Sequence, residues 1–174
     1  MLPETTAARL RTQLDTLPLL LAGVDEAVLE RRPAPGTWSA REQLAHLARH
    51  HEVTGERLRR ILAEQEPAFP RYRAEDDPEW PRVSALPLAA VRAELAARRA
   101  GLVAAVAAIP PAGLARRGVH PVLGAMPIPL WLEFFLLHEA HHLFAVMQLV
   151  RAAPAAGNPA GGSAGSADSG GQAR

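Results

Sequence analysis

From Pro129 to about Arg151 the chain reads PLWLEFFLLHEAHHLFAVMQLVR, a segment that is apolar on almost every side of a helix. A helix of that kind cannot lie on a surface with one face in water; it must pack against several neighbours at once. A lipid-facing span is excluded, because Glu133, His138, Glu139, His141 and His142 interrupt the run. The rest of the chain therefore has to supply a surround for it. Alanine and leucine dominate the apolar residues and β-branched residues are few, so that surround is expected to be helical. The expected fold class is all-α.

Three further helical segments can be read upstream, and no convincing strand. The first, about Glu4 to Glu30, carries Leu10, Leu14, Leu17, Leu21, Val24 and Val28 at helical spacing, with Pro18 expected to kink or split it near Thr16. The turn-rich RRPAPGTW follows. Ser39 then opens a second helix, to about Glu64, with Glu42 three residues on completing a capping-box pattern. Residues 65–86, rich in Pro, Asp, Glu and Arg, form a long crossover or lid-like loop of a length that is often functional. Pro87 suits the first position of a third helix, which carries Leu88, Val91, Leu95, Leu102, Val106 and Ile109 and ends at Pro110 and Pro111. A second connector, AGLARRGVHPVLGAMPI, leads to Pro129. Four helices with two long connections imply a four-helix bundle over residues 1–151. Residues 152–174, built almost wholly of small and turn-forming types, are expected to be a disordered tail.

At 174 residues the chain suits one domain with a real core. Its net charge is +1, and its basic residues, all arginine, are interleaved with Asp and Glu, so no basic stripe points to nucleic acid. The N-terminus MLPETTAARLRTQLD lacks the apolar run of a signal peptide, and no membrane span is expected, so a soluble cytoplasmic protein is the expectation. Cysteine is absent, which removes disulfides, thiolate metal ligands and cysteine nucleophiles. Any metal must be held by nitrogen and oxygen.

Histidine supplies that nitrogen. His138 and His142, at i and i+4, stack their imidazoles on one helical face within reach of one cation. Buried imidazoles are pushed toward the neutral form, which is the form that binds metal. His138-Glu139-Ala140-His141-His142 also matches HExxH, in which Glu139 would be a general base. Against a metalloprotease stand the lack of a downstream ligand and of strands to hold a peptide. The second helix offers His46, His50 or His51 as a third ligand. Its apolar stripe, Ala40, Leu44, Leu47, Leu58 and Leu62, passes close to His51 and leaves His46 on the flank, so periodicity favours His51. On the third helix, Arg98 or Arg99 sits near the apolar seam, where it could meet an anionic substrate or extend to solvent.

The segments PAPGTWSAREQLAHL and RRGVHPVLGAMPIPLWLEFFLLHEAHHLFAVMQL, in this order and separation, resemble the DinB-like superfamily of DNA-damage-inducible four-helix proteins. That group includes bacillithiol transferases and mycothiol-dependent isomerases. The resemblance covers most of residues 1–151. It implies a divalent metal, commonly zinc or nickel, held by His46, His138 and His142, with His51 as the rival to His46. It also implies a small-molecule substrate, with a low-molecular-weight thiol as co-substrate or water as the activated nucleophile. A non-catalytic metal-binding or structural bundle is the other class of answer. Family members often form dimers, which leaves a homodimer open. The chain departs from the common pattern at Arg49 and His50, where many members have Asp-Ser, and at Phe144-Ala145-Val146, where many have a Gly-Gln-Ile-like run.

Overall fold

A computed structural model describes residues 1–152. The tail expected to be disordered lies, Ala152 apart, outside the described residues. The N-terminal segment is not one helix: α1 (Glu4–Thr12) passes through a 3-10 turn (Gln13–Thr16) into α2 (Leu17–Leu21), and α3 (Glu26–Glu30) follows. The break falls before Thr16, the position expected from Pro18. Pro18 sits in the first turn of α2, where its missing N–H costs nothing. Gly23, at φ +68°, then turns the chain after α2.

Next come α4 (Ala40–Ala63), a 3-10 turn (Ala74–Asp76), α5 (Trp80–Ser84), α6 (Leu88–Ala107), α7 (Pro111–Leu114), strands β1 (Arg117–His120) and β2 (Gly124–Pro127), and α8 (Ile128–Arg151). The capping box at the start of α4 is complete: Ser39 Oγ accepts from the Glu42 N–H, and Glu42 Oε2 accepts from the Ser39 N–H at 2.8 Å. At the other end of α4, Arg116 donates to the carbonyls of Ile61 and Glu64, which the helix itself leaves free.

The absence of strands is corrected. The second connector folds into an antiparallel hairpin, Arg117 opposite Pro127 and His120 opposite Gly124. Two features close it. Gly124 takes φ +72°, and His120 Nδ1 accepts from the N–H groups of Val122 and Leu123. Val119 pairs in addition with the start of the long crossover, through bonds to Pro67 and Phe69. The hairpin is too short to show as alternation in sequence.

The core has two apolar clusters. One gathers Leu10, Ile61, Phe69, Leu102, Trp131, Leu132 and Phe135; the other gathers Leu17, Leu44, Leu47, Val83, Leu95, Leu143 and Val146. The first holds Leu10 of α1, the start of α8 and the ends of α4 and α6, and the second holds Leu17 of α2, the end of α8 and the starts of α4 and α6, so the N-terminal segment and α8 run one way and α4 and α6 the other. Parallel α4 and α6 require a connection that travels the length of the bundle, which is why residues 64–87 are long. Among the described residues no helix is long and apolar enough to cross a membrane.

Candidate metal centre

Between the two apolar clusters lies a layer of buried polar side chains: His46, His50 and His51 from α4, Arg99 from α6, and Glu139 with the half-buried His138 and His142 from α8. Helix geometry divides the layer into two. Adjacent residues on α8 point about 100° apart, so His138 and Glu139 face different neighbours.

One half is a convergence of imidazoles. His46 Nε2 lies 3.2 Å from His138 Nε2, which lies 3.1 Å from His142 Nε2. The structure thus brings His46, His138 and His142 together, with one nitrogen of each within 4.8 Å of the others. Gln43, one turn before His46, fixes one tautomer: its Oε1 accepts from His142 Nδ1 at 2.6 Å, so His142 Nε2 presents a lone pair inward. His138 Nε2 is then flanked by two nitrogens, and a single proton on it would have to serve both. Protonating the cluster is disfavoured. Burial, then the neighbouring His142 and His138, push His46 down to about 2; burial and the nearby histidines push His138 to about 3; burial and His141 push His142 to about 4. A divalent cation satisfies inward lone pairs without that penalty. Imidazole nitrogens at zinc distance on a tetrahedron stand about 3.3 Å apart, close to the spacing seen. The donor set, three neutral imidazoles, suits a divalent transition-metal ion.

The other half is an ion-pair network. Glu139, fully buried, accepts from Arg99 and, at 2.9 Å, from Gln13 Nε2; Arg99 also donates to the Leu10 carbonyl. His51 donates through Nδ1 to the Leu47 carbonyl, and its Nε2 stands 3.3 Å from Glu139 Oε2, at ion-pair distance but off the hydrogen-bond direction. Burial alone would raise the Glu139 carboxyl, but His51 and Arg99 outweigh it and hold it down. Burial likewise lowers Arg99, although a guanidinium stays charged throughout the working range.

Two expectations are thereby corrected. His51, favoured by periodicity, is not in the imidazole cluster: the centre of the α4 apolar stripe faces α6 and α8 together, where Glu139 waits, while the flank at His46 faces the cluster. Arg99 does not extend to solvent: it is buried and paired with Glu139. Glu139 is committed to Arg99, so the HExxH match has no general base at the cluster. Arg98 is paired with Glu52 and Glu94.

Further residues join the site. His50 stacks on His138 with ring centroids 3.9 Å apart, and its position at i+4 from His46 was the signal. From the crossover, Tyr72 and Trp80 approach the His46 ring at 5.9 and 6.2 Å, and Trp38 lies 4.9 Å from it. Asp77 anchors this segment to α4: its carboxylate accepts from Arg49 Nε at 2.7 Å, the Tyr72 hydroxyl at 3.0 Å and the Glu79 N–H at 3.0 Å. A cavity of about 490 Å3 opens beside His46, His50 and His138.

A helical bundle with three imidazoles converging between facing helices defines a class of proteins that build internal histidine sites from helix pairs. The chain belongs to the DinB superfamily, which it matches over residues 9–144. Among solved structures it is similar to YfiT from Bacillus subtilis, with 18% identity, 85% of each chain covered and a TM-score of 0.71. That protein is described as a probable metal-dependent hydrolase with an unusual four-helix bundle topology. It is also similar to TT2238, a four-helix bundle protein, with 29% identity over 82% of this chain and 96% of that one, at a TM-score of 0.61. No curated protein matches at a significant level.

Proposed function

We propose that this chain is a metal-dependent enzyme whose His46, His138 and His142 hold one divalent ion, zinc or nickel, and which activates a small nucleophile, a low-molecular-weight thiol or water. The observation that carries the reading is the convergence of three Nε2 atoms around a His142 tautomer fixed by Gln43. Three protein ligands leave coordination positions open, the arrangement of catalytic rather than structural zinc. A bound divalent ion supplies Lewis acidity that lowers the pKa of a coordinated water or thiol toward neutrality.

The chain's own residues do the rest. Gln43 orients His142 and keeps its second nitrogen free for the metal. Stacking of His50 on His138 and of Trp38 near His46 fixes the ring planes and excludes water on those sides. Among the described residues no Asp or Glu lines the adjoining cavity, so the proton of a nucleophile acidified by the metal would pass to solvent water. The hydrolase description of the similar structure supports the water branch. Family resemblance supports the thiol branch.

The test is metal content. Chain stripped of metal and reloaded with zinc or nickel should hold one ion per protein by elemental analysis, and His142→Ala should lose it. A wild-type chain that cannot be loaded sinks the reading. Loaded protein is then assayed with glutathione and a chloronitrobenzene, and separately with a nitrophenyl ester, each against the metal-free form.

A further inference from the structure

The cavity beside the histidines carries an unbalanced charge. Arg57 on α4 is only 8% exposed, yet among the described residues it has no carboxylate partner. Its single hydrogen bond runs from Nη2 to the Pro70 carbonyl at 3.1 Å. Its guanidinium lies over the rings of Phe69 and Trp131, at 5.6 and 5.7 Å from their centroids, which fixes the fork in place. The other N–H donors of a guanidinium, five in all, are left without a protein acceptor. Buried arginines elsewhere in this bundle are not left so: Arg99 has Glu139. None of the unpartnered Arg57 nitrogens is fully enclosed, so they open into the cavity, where a ligand's acceptor can replace water.

Arg57 lines the same cavity as His138 and His50. So do Arg71, Tyr72 and His120, whereas the lining contains no acidic residue. The walls contributed by Phe134, Val122 and Leu123 are apolar. At about 490 Å3 the cavity has the size of a small-molecule site.

We propose that Arg57 is an anion-binding subsite and that the substrate of this cavity is a small organic acid whose carboxylate docks on its fork while its apolar part lies toward Phe134. A planar fork matches a carboxylate edge to edge. Of the two arginines in the lining only Arg57 is buried, Arg71 being exposed at the rim, and one planar fork held in place matches one carboxylate. The inference rests on the reading of the histidine cluster as the reactive centre, since it places the rest of the substrate next to His138.

The probe is benzoate, with benzamide as its neutral counterpart. Calorimetric titration of the zinc-loaded wild-type chain should show benzoate binding that weakens about 10- to 100-fold in Arg57→Gln, as for loss of a hydrogen bond to a charged group, and to an intermediate degree in Arg57→Lys. Benzamide should bind wild type and Arg57→Gln alike. In wild-type protein, benzoate and not benzamide should shift the Arg57 Nε–H resonance, a readout that stands even where a variant folds poorly. Undiminished benzoate binding by a folded Arg57→Gln, or an unmoved Arg57 resonance, overturns the proposal. The His142→Ala chain separates the two readings. If benzoate binding disappears with the metal while Arg57→Gln retains it, the anion sits at the histidines and the subsite is refuted. If no metal loads but benzoate still depends on Arg57, the subsite stands and the metal reading alone fails.

Discussion

Glu139→Gln separates the HExxH reading from the one the structure supports. In wild type the Glu139 carboxylate is fully buried and is, among the described residues, the only acidic partner of Arg99, itself 6% exposed. Removing one partner of a buried pair costs about 3–5 kcal/mol, because the other charge stays behind unpaired. Here two contacts soften the loss. Arg99 keeps the Leu10 carbonyl through Nη1, and Gln13 Nε2 keeps the Leu136 carbonyl at 2.9 Å. The low end, about 3 kcal/mol, is therefore expected. For a domain of this size that lowers Tm by roughly 6–12 °C. Replacing both partners, Glu139→Met with Arg99→Met, removes the stranded charge and should recover most of the loss. Urea denaturation of the metal-free proteins measures these differences without interference from ligand binding. Zinc titration of the same Glu139→Gln sample should give wild-type stoichiometry. An unchanged urea midpoint together with lost turnover would place Glu139 at the metal as a base and refute the division of α8 into a chemical face and a structural one.

Three other perturbations address the supports of the site. Gln43→Leu removes the acceptor that fixes the His142 tautomer; zinc affinity should fall about 10- to 100-fold by competition with a chelating dye, with the far-ultraviolet circular dichroism unchanged. For Asp77, burial would raise the carboxyl, but Arg49, the Glu79 N–H and Tyr72 outweigh it and hold it below its usual range. Its contribution is then fully present above an unfolded-state pKa of about 3.9 and is lost as pH falls through the lower folded value. Acid should accordingly release residues 65–86 from α4, seen as a change in Trp80 fluorescence in that window, and Asp77→Asn should already show the change at neutral pH. Gly118→Ala would put a Cβ 2.7 Å from Ile61 Cγ1 and 2.9 Å from the Phe69 ring. Overpacking of this kind costs about 1–3 kcal/mol, so a Tm equal to wild type would mean that the hairpin does not press on α4 as described.

Much of this was legible in the residues, and the exceptions have physical causes. The helices α4, α6 and α8 carry long periodic patterns with clear stops, and Ser39 with Glu42 marks a start that no packing is needed to read. The hairpin was not legible, because β1 and β2 are four residues each and their register is set by Gly124, His120 and a bond to the distant Pro67. The pair His138 and His142 was marked by its i, i+4 spacing together with the family resemblance. The choice between His46 and His51 did not, since both lie near the α4 apolar stripe and a helical wheel has no knowledge of which neighbour stands opposite. Gln43 and Asp77 escaped for the same reason, since each matters through a partner distant in sequence, His142 and Arg49, and Arg57 escaped because the lack of such a partner shows only in the fold.

The two halves of the polar layer depend on one another. An apolar bundle has no reason to place histidines and carboxylates at its mid-level, and each buried polar group there needs a partner. Glu139 needs Arg99, and Arg99 reaches it because α6 runs parallel to α4, an orientation that requires the long crossover. That crossover in turn brings Asp77, Tyr72 and Trp80 over His46. The topology that neutralises the structural half thus also covers one side of the chemical half, leaving the cavity side open. What it leaves uncompensated is Arg57, which faces the cavity and not the network. Arg99, the other buried arginine among the described residues, meets a carboxylate, and Arg57, which meets none, is the place where a ligand's charge would be received.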